Sequence, residues 1–208
     1  MKEFTVPMAL LDYVPVIFFG IAVIILQRDL YNKMSKGAFA LFAAGTIDVL
    51  FAGVLKATYK LLYALGVCDF DALNVMFMPL QSIGFLLAGL GIIAMFSHKQ
   101  GMTSAAVVAP TVFKGTFLFV GMMIAGIGCI DAGLIILARK MKKKGAIVCF
   151  VLSFIFILGM GYLSSKDFSK GYMNYIAEVE NMIGQAILLT GTLILHKAGL
   201  ENLTIEKQ

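Results

Sequence analysis

Tryptophan is absent, histidine occurs only twice, and 14% of the 208 residues are charged. Each scarcity closes off a class of protein. Soluble domains carry roughly 25% charged residues. This chain is 60% hydrophobic, and its apolar runs are too long for ordinary core helices, so a soluble globular fold is excluded. His98 and His196, with Cys68, Cys129 and Cys149 and no CxxC pair, cannot assemble a zinc cluster at ligand spacing. No metal and no cofactor are expected, and the cysteines read as small buried hydrophobes. The last helix holds no lysine in its interior, which disfavours a retinal Schiff base. The opening MKEFTVPMALLDY lacks a basic n-region and a convincing cleavage site, so its first apolar run is expected to be a retained helix.

What is present is a series of helix-length apolar segments. They fall near 7–27, 38–65, 75–97, 117–138, 145–163 and 173–197. A barrel would show short alternating strands instead, so the expected class is all-α, a polytopic integral membrane protein forming one transmembrane domain over 1–208. The net charge of +5 sits in short loops. It reads as a topology signal rather than a nucleic-acid footprint.

The two halves echo each other. IIL-x-R followed by M-x-K-G-A at 24–38 recurs as IILARKMKKKGA at 135–146. Asp69-Phe70 returns as Asp167-Phe168, and the segment opening Ile83-Gly84 returns at Ile183-Gly184. The matches keep their order, which points to a duplicated three-helix unit: residues 7–101, then a linker at 102–116, then 117–199.

Two architectures satisfy that duplication. If the linker crosses the membrane, the units are parallel and seven helices result (3+1+3). If it does not, the units are inverted and there are six (3+3). Charge favours seven, because the basic loops 28–37 and 139–144 then share one side. Hydropathy favours six, because 102–118 contains Pro110 and Lys114 and spans only ~25 Å as a helix, against ~30 Å of hydrocarbon. Seven is the expectation taken forward. In layout, the 3+1+3 plan resembles small sugar carriers of the SWEET and PQ-loop class. Their adjacent Pro-Gln signature is replaced here by Pro79-Leu80-Gln81.

Polar residues at membrane depth are costly and mark candidate sites. The last helix is the richest source. Glu178, Asn181, Gln185, Thr192 and His196 fall near one helical face. Gln81 and Asn181 take equivalent places before the two Ile-Gly pairs, and carboxamides suit a polar solute because they both donate and accept. Asp12, in the outer part of the first helix, joins them. So do Asp48, in the middle of an apolar run, and Lys56 two turns along the same helix. Lys56 and Lys60 read more simply as snorkelling interfacial anchors. Gly126, Gly128, Ala132 and Gly133 around Asp131 read as a close helix-packing face. Pro15 and Pro79 each free a backbone carbonyl inside a helix.

Ser82, Glu178 and His196 do not form a catalytic set, since His196 lies ~27 Å along the helix from Glu178. The expectation is therefore a non-enzyme: a transporter, or solute-binding transport component, for a small polar or cationic solute, proton- or cation-coupled. The alternative is a seven-helix sensor or receptor-like module. No output domain follows Gln208, so a sensor would act through a partner protein. Expected partners are the lipid bilayer, the solute and a homo-oligomer or membrane partner. The expected location is the plasma (inner) membrane, with a cytoplasmic C-terminus.

Overall fold

The computed structural model describes residues 4–96, 116–163 and 171–204, which are helical apart from short turns and hold no strand. In chain order the helices are α1 (Val6–Leu11), α2 (Tyr13–Leu30), α3 (Lys36–Ala64), α4 (Ala72–Phe96), α5 (Thr116–Lys140), α6 (Lys144–Leu163) and α7 (Gly171–Lys197). α1 and α2 make one rod interrupted at Asp12. Pro15 explains the interruption: it has no N–H for the Leu11 carbonyl four residues back, and its ring crowds that carbonyl.

Four stretches are long and apolar enough to cross a bilayer: Val6–Lys33, Lys36–Ala64, Ala72–Phe96 and Phe117–Lys140. The fold is thus that of a helical membrane protein. α6 is apolar over a shorter stretch, Lys144–Met160. Ile17, Ile21 and Ile24 of α2, and Ile47 and Phe51 of α3, turn outward, as lipid-facing side chains do. The expected linker 102–116 lies, except for Thr116, outside the described residues.

The helices pack in a closed ring that follows chain order: α2 on α3, α3 on α4, α4 on α5, α5 on α6, α6 on α7, and α7 back on α2. Small residues set the closest approaches. A Cβ on Gly45 would strike the backbone of Gly84 and Ala88, and one on Gly91 the backbone of Ala38 and Phe42. α3 and α4 are therefore antiparallel. Gly126 meets the backbone of Phe85 and Leu86, Gly89 meets Gly126 and Cys129, and Gly133 meets Ile92. Here the numbers rise together on both helices, so α4 and α5 run parallel. It follows that α4 stops at one end of the bundle and α5 starts at the other. α6 and α7 are antiparallel, with Gly191 against Cys149 and Phe150, and Gly159 under the Glu180 carboxylate.

The two ends differ in charge. One bears Arg28, Lys33, Lys36, the turn Arg139–Lys144 and Lys197; the other bears the loop with Asp69 and Asp71. At the basic turn, Lys142 adopts φ 57° and the Lys143 N–H reaches back 2.8 Å to the Ala138 carbonyl. This is a left-handed helix stop that glycine usually supplies. The C-terminal turn Leu200–Asn202 folds back on the same end. Lys33 Nζ donates to the carbonyls of Glu201 (2.9 Å) and Leu203 (2.7 Å), and Leu200 is fully buried. His196, at the far end of the polar face of α7, holds the buried Asp29: Nδ1 lies 2.8 Å from Oδ2.

Candidate functional site

A cavity of about 50 Å³ lies among α2, α3, α4 and α7, toward the acidic end of the bundle. Its polar lining is Asp12 at the α1–α2 break, Lys56 from α3, Gln81 from α4, and Glu178, Asn181 and Gln185 from α7. Phe19, Phe77 and Phe85 supply aromatic walls. On α7 the three polar residues sit at i, i+3 and i+7, so one helical face delivers all of them. On α3, Gly53 lets α2 approach closely, since a Cβ there would meet the Val16 side chain at 2.9 Å.

The chemistry beside the cavity centres on Lys60. Its Nζ lies 2.6 Å from Glu178 Oε1 and 2.7 Å from Asp12 Oδ2. The three side chains are 5%, 3% and 4% exposed, respectively. Lys56, one helical turn earlier, stands nearer the surface. Its Nζ is 3.8 Å from Glu178 Oε1 and 4.6 Å from the Phe77 ring centre. The Phe4 ring lies 5.6 Å from the Lys60 ammonium and packs edge-on against Tyr59 and Tyr63. Tyr13 hydroxyl to Thr58 and Thr5 hydroxyl to Tyr175, each 2.9 Å, fasten the start of the chain to α3 and α7.

Burying charges costs several kcal/mol per ion, and only close, well-made pairs offset it. Two lysines facing two carboxylates leave the site formally neutral. Hydrogen bonding is nevertheless incomplete. Among the described residues, both Asp12 carboxylate oxygens and Gln185 Oε1 are buried with no hydrogen-bond partner, although Asp12 Oδ2 is ion-paired to Lys60. The site thus has acceptor capacity to spare.

Of the residues singled out in the sequence, Asp12, Lys56, Gln81, Glu178, Asn181 and Gln185 share this cavity. Asp48 does not line it. It is half-exposed, beside the outward-facing Ile47 and Phe51, and the carboxylate near Lys56 is Glu178 rather than Asp48. Lys60 is the residue that sequence reasoning missed. Its signal was the i, i+4 spacing from Lys56, which puts both ammonium groups on one face of α3. Glu180 leans on α6 at Gly159. Asp131 is buried on α5, apart from the cavity lining, with Oδ2 unpartnered among the described residues. Among those residues no group of three or more His, Cys, Asp or Glu could hold a metal ion.

No family model, curated protein or solved structure matches the chain.

Proposed function

We propose that the protein is a membrane transporter, or the solute-binding component of one, for a small polar solute, with its site in the cavity between α2, α3, α4 and α7. The observation that carries this reading is the convergence of two carboxylates, Lys56 and three carboxamides on one cavity with unsatisfied acceptors, with Lys60 paired to both carboxylates beside it. Polar groups are retained at membrane depth when they face a ligand or an ion path. A cavity of about 50 Å³ holds a few waters at ~15 Å³ each, so the solute is small or enters as the helices part.

The proposed architecture is a parallel duplication with seven crossings. It is supported by the opposite ends at which α4 stops and α5 starts. Matched packing in the two halves supports it too. Gly91 lies against the Phe42 backbone in the first unit and Gly191 against the Phe150 ring in the second, so the same pair of residue types meets in both although by different atoms, and both phenylalanines are buried. Leu26 and Leu137, from the two IIL-x-R/IILAR segments, are buried alike. With Arg28, Lys36 and Arg139–Lys144 at one end, the positive-inside tendency puts that end and the C-terminus in the cytoplasm. The cavity then opens toward the outside of the plasma membrane.

The test is counterflow and uptake in proteoliposomes against a panel of small neutral, zwitterionic and cationic solutes, with and without proton and sodium gradients. Uptake of one class by the wild type, lost in Gln81→Ala and Asn181→Ala, is the expected result. No movement of any solute, together with specific capture of a membrane partner, would turn the reading to the sensor alternative.

A further inference from the structure

We propose that the space between Asp12 and Glu178 is a binding site for a small monovalent ammonium-type cation, and that Lys60 is the tethered stand-in that fills it when no solute is bound. The inference rests on the reading of this cavity as the solute site, and it names the class of solute.

The surroundings of Lys60 Nζ are those a free ammonium ion would need. Carboxylate oxygens lie at 2.6 and 2.7 Å: Glu178 Oε1 accepts a charge-assisted hydrogen bond, and Asp12 Oδ2 is an ion-pair contact. An aromatic ring lies at 5.6 Å, within reach of a cation–π attraction. These groups come from α7, the α1–α2 break and the chain start, so three separate segments are aimed at one cation position. A lysine that merely anchored α3 at an interface would reach outward to water; the side chain of this one is 5% exposed.

A second observation points to a ligand beyond Lys60. Gln185 is 8% exposed and lines the same cavity, yet its Oε1 has no hydrogen-bond partner among the described residues, and neither has either oxygen of the Asp12 carboxylate. Both unmet groups are acceptors. An entering molecule must therefore bring donors, which an ammonium group does and an anion does not. Phe77 and Phe85 on the cavity wall suit the short apolar part of an organic ammonium.

Charge accounts for the exchange. Asp12 and Glu178 balance Lys56 and Lys60, so adding a cation without removing one leaves excess positive charge in a low-dielectric site. Removing Lys60 without replacing it leaves two carboxylates sharing one lysine. Exchange keeps the sum constant. Lys60 lies one turn before the end of α3 at Ala64, and its four-carbon stem can carry the head group toward the membrane surface as the solute enters.

The experiment is a titration of the purified full chain in nanodiscs with methylammonium chloride and, separately, sodium chloride, followed by calorimetry and thermal shift. The wild type, Lys60→Met and Lys60→Arg are compared. The expected result is that Lys60→Met binds methylammonium at least tenfold more tightly than the wild type, while Lys60→Arg shows no gain. If Lys60→Met is recovered only as aggregate, methylammonium during purification should restore monodisperse protein. Equal or weaker methylammonium binding by Lys60→Met, a response to sodium alone, or failure of methylammonium to rescue an aggregating variant each overturns the inference. The uptake assay fails independently. A wild type that moves a polar solute while Lys60→Met gains no ammonium affinity leaves transport standing and removes the stand-in role. Tight binding by Lys60→Met without any uptake does the reverse.

Discussion

Lys60 and Glu178 are 118 residues apart in sequence and 2.6 Å apart in the bundle. Their contact ties α3 to α7, which do not follow one another in the ring, and Asp12 draws the α1–α2 break into the same knot. Removing the lysine alone leaves two buried carboxylates with only Lys56, 3.8 Å from Glu178, to offset them. Lys60→Ala should therefore lower stability by about 3–5 kcal/mol, the usual cost of breaking a buried pair from one side. The triple variant Lys60→Ala, Asp12→Asn, Glu178→Gln should recover most of that loss. Thermal unfolding in mild detergent reads both. A triple variant no more stable than the single one would mean that the packing of the lysine stem, not its charge, is what α3 contributes here.

The parallel contact of α4 and α5 gives a second test. Gly126 has no room for a methyl group, because the Phe85 carbonyl and Leu86 nitrogen already occupy the place of its Cβ. Gly121, on the same helix, has nothing within 4 Å. Gly126→Ala should destabilise by about 1–3 kcal/mol through overpacking, whereas Gly121→Ala should be neutral or slightly stabilising, since alanine is the better helix former. Equal unfolding temperatures for the two variants would contradict the close approach of α4 and α5.

How far these features can be read from the sequence depends on the distance over which each is determined. Helix positions follow from local apolar runs, so the expected spans lie within a few residues of the observed helices, and α3 continues through Lys56 and Tyr59 to Ala64. The inward face of α7 is also local. Glu178, Gln185 and Thr192 recur at helical spacing, and all three are buried. What periodicity cannot give is the partner on another helix. Lys56 and Asp48 are neighbours on paper, yet α3 turns Asp48 toward its flank and Lys56 toward α7. Lys60 near a helix end reads as a surface anchor until Asp12 and Glu178 are seen on either side of it. The pairing of His196 is out of reach for the same reason, because its partner Asp29 sits on α2.

That His196–Asp29 contact underlies the third prediction. The Asp29 side chain is fully buried and holds the end of α7 at His196, while Lys33 holds the C-terminal turn that follows. Asp29→Ala leaves His196 without that partner, at a cost of about 1–3 kcal/mol, and should loosen Leu200–Asn202. Trypsin cleavage after Lys197 should then quicken several-fold, while thermal stability of the bundle falls only modestly. Unchanged cleavage would show that Lys33 and the buried Leu200 suffice to hold the turn.

The arrangement of the whole bundle can be tested with a cysteine it already has. Cys68 is exposed in the acidic loop, whereas Cys129 and Cys149 are half-buried within helices. Ser35, which caps α3 by accepting from the Ala38 N–H at 3.2 Å, lies at the opposite end. A membrane-impermeant maleimide should label Cys68 in sealed cells of a variant keeping only that cysteine. A variant whose only cysteine is Ser35→Cys should be labelled only after permeabilisation. That pattern puts the basic end in the cytoplasm, as its lysines and arginines imply, and makes the Lys60 site accessible from outside. The reverse pattern keeps the bundle but turns it over, so that the cavity faces the cytoplasm. Labelling of both positions from the same side would break the arrangement itself, because α3 runs from Ser35 at one end to the Cys68 loop at the other, and no crossing helix can begin and finish on one face.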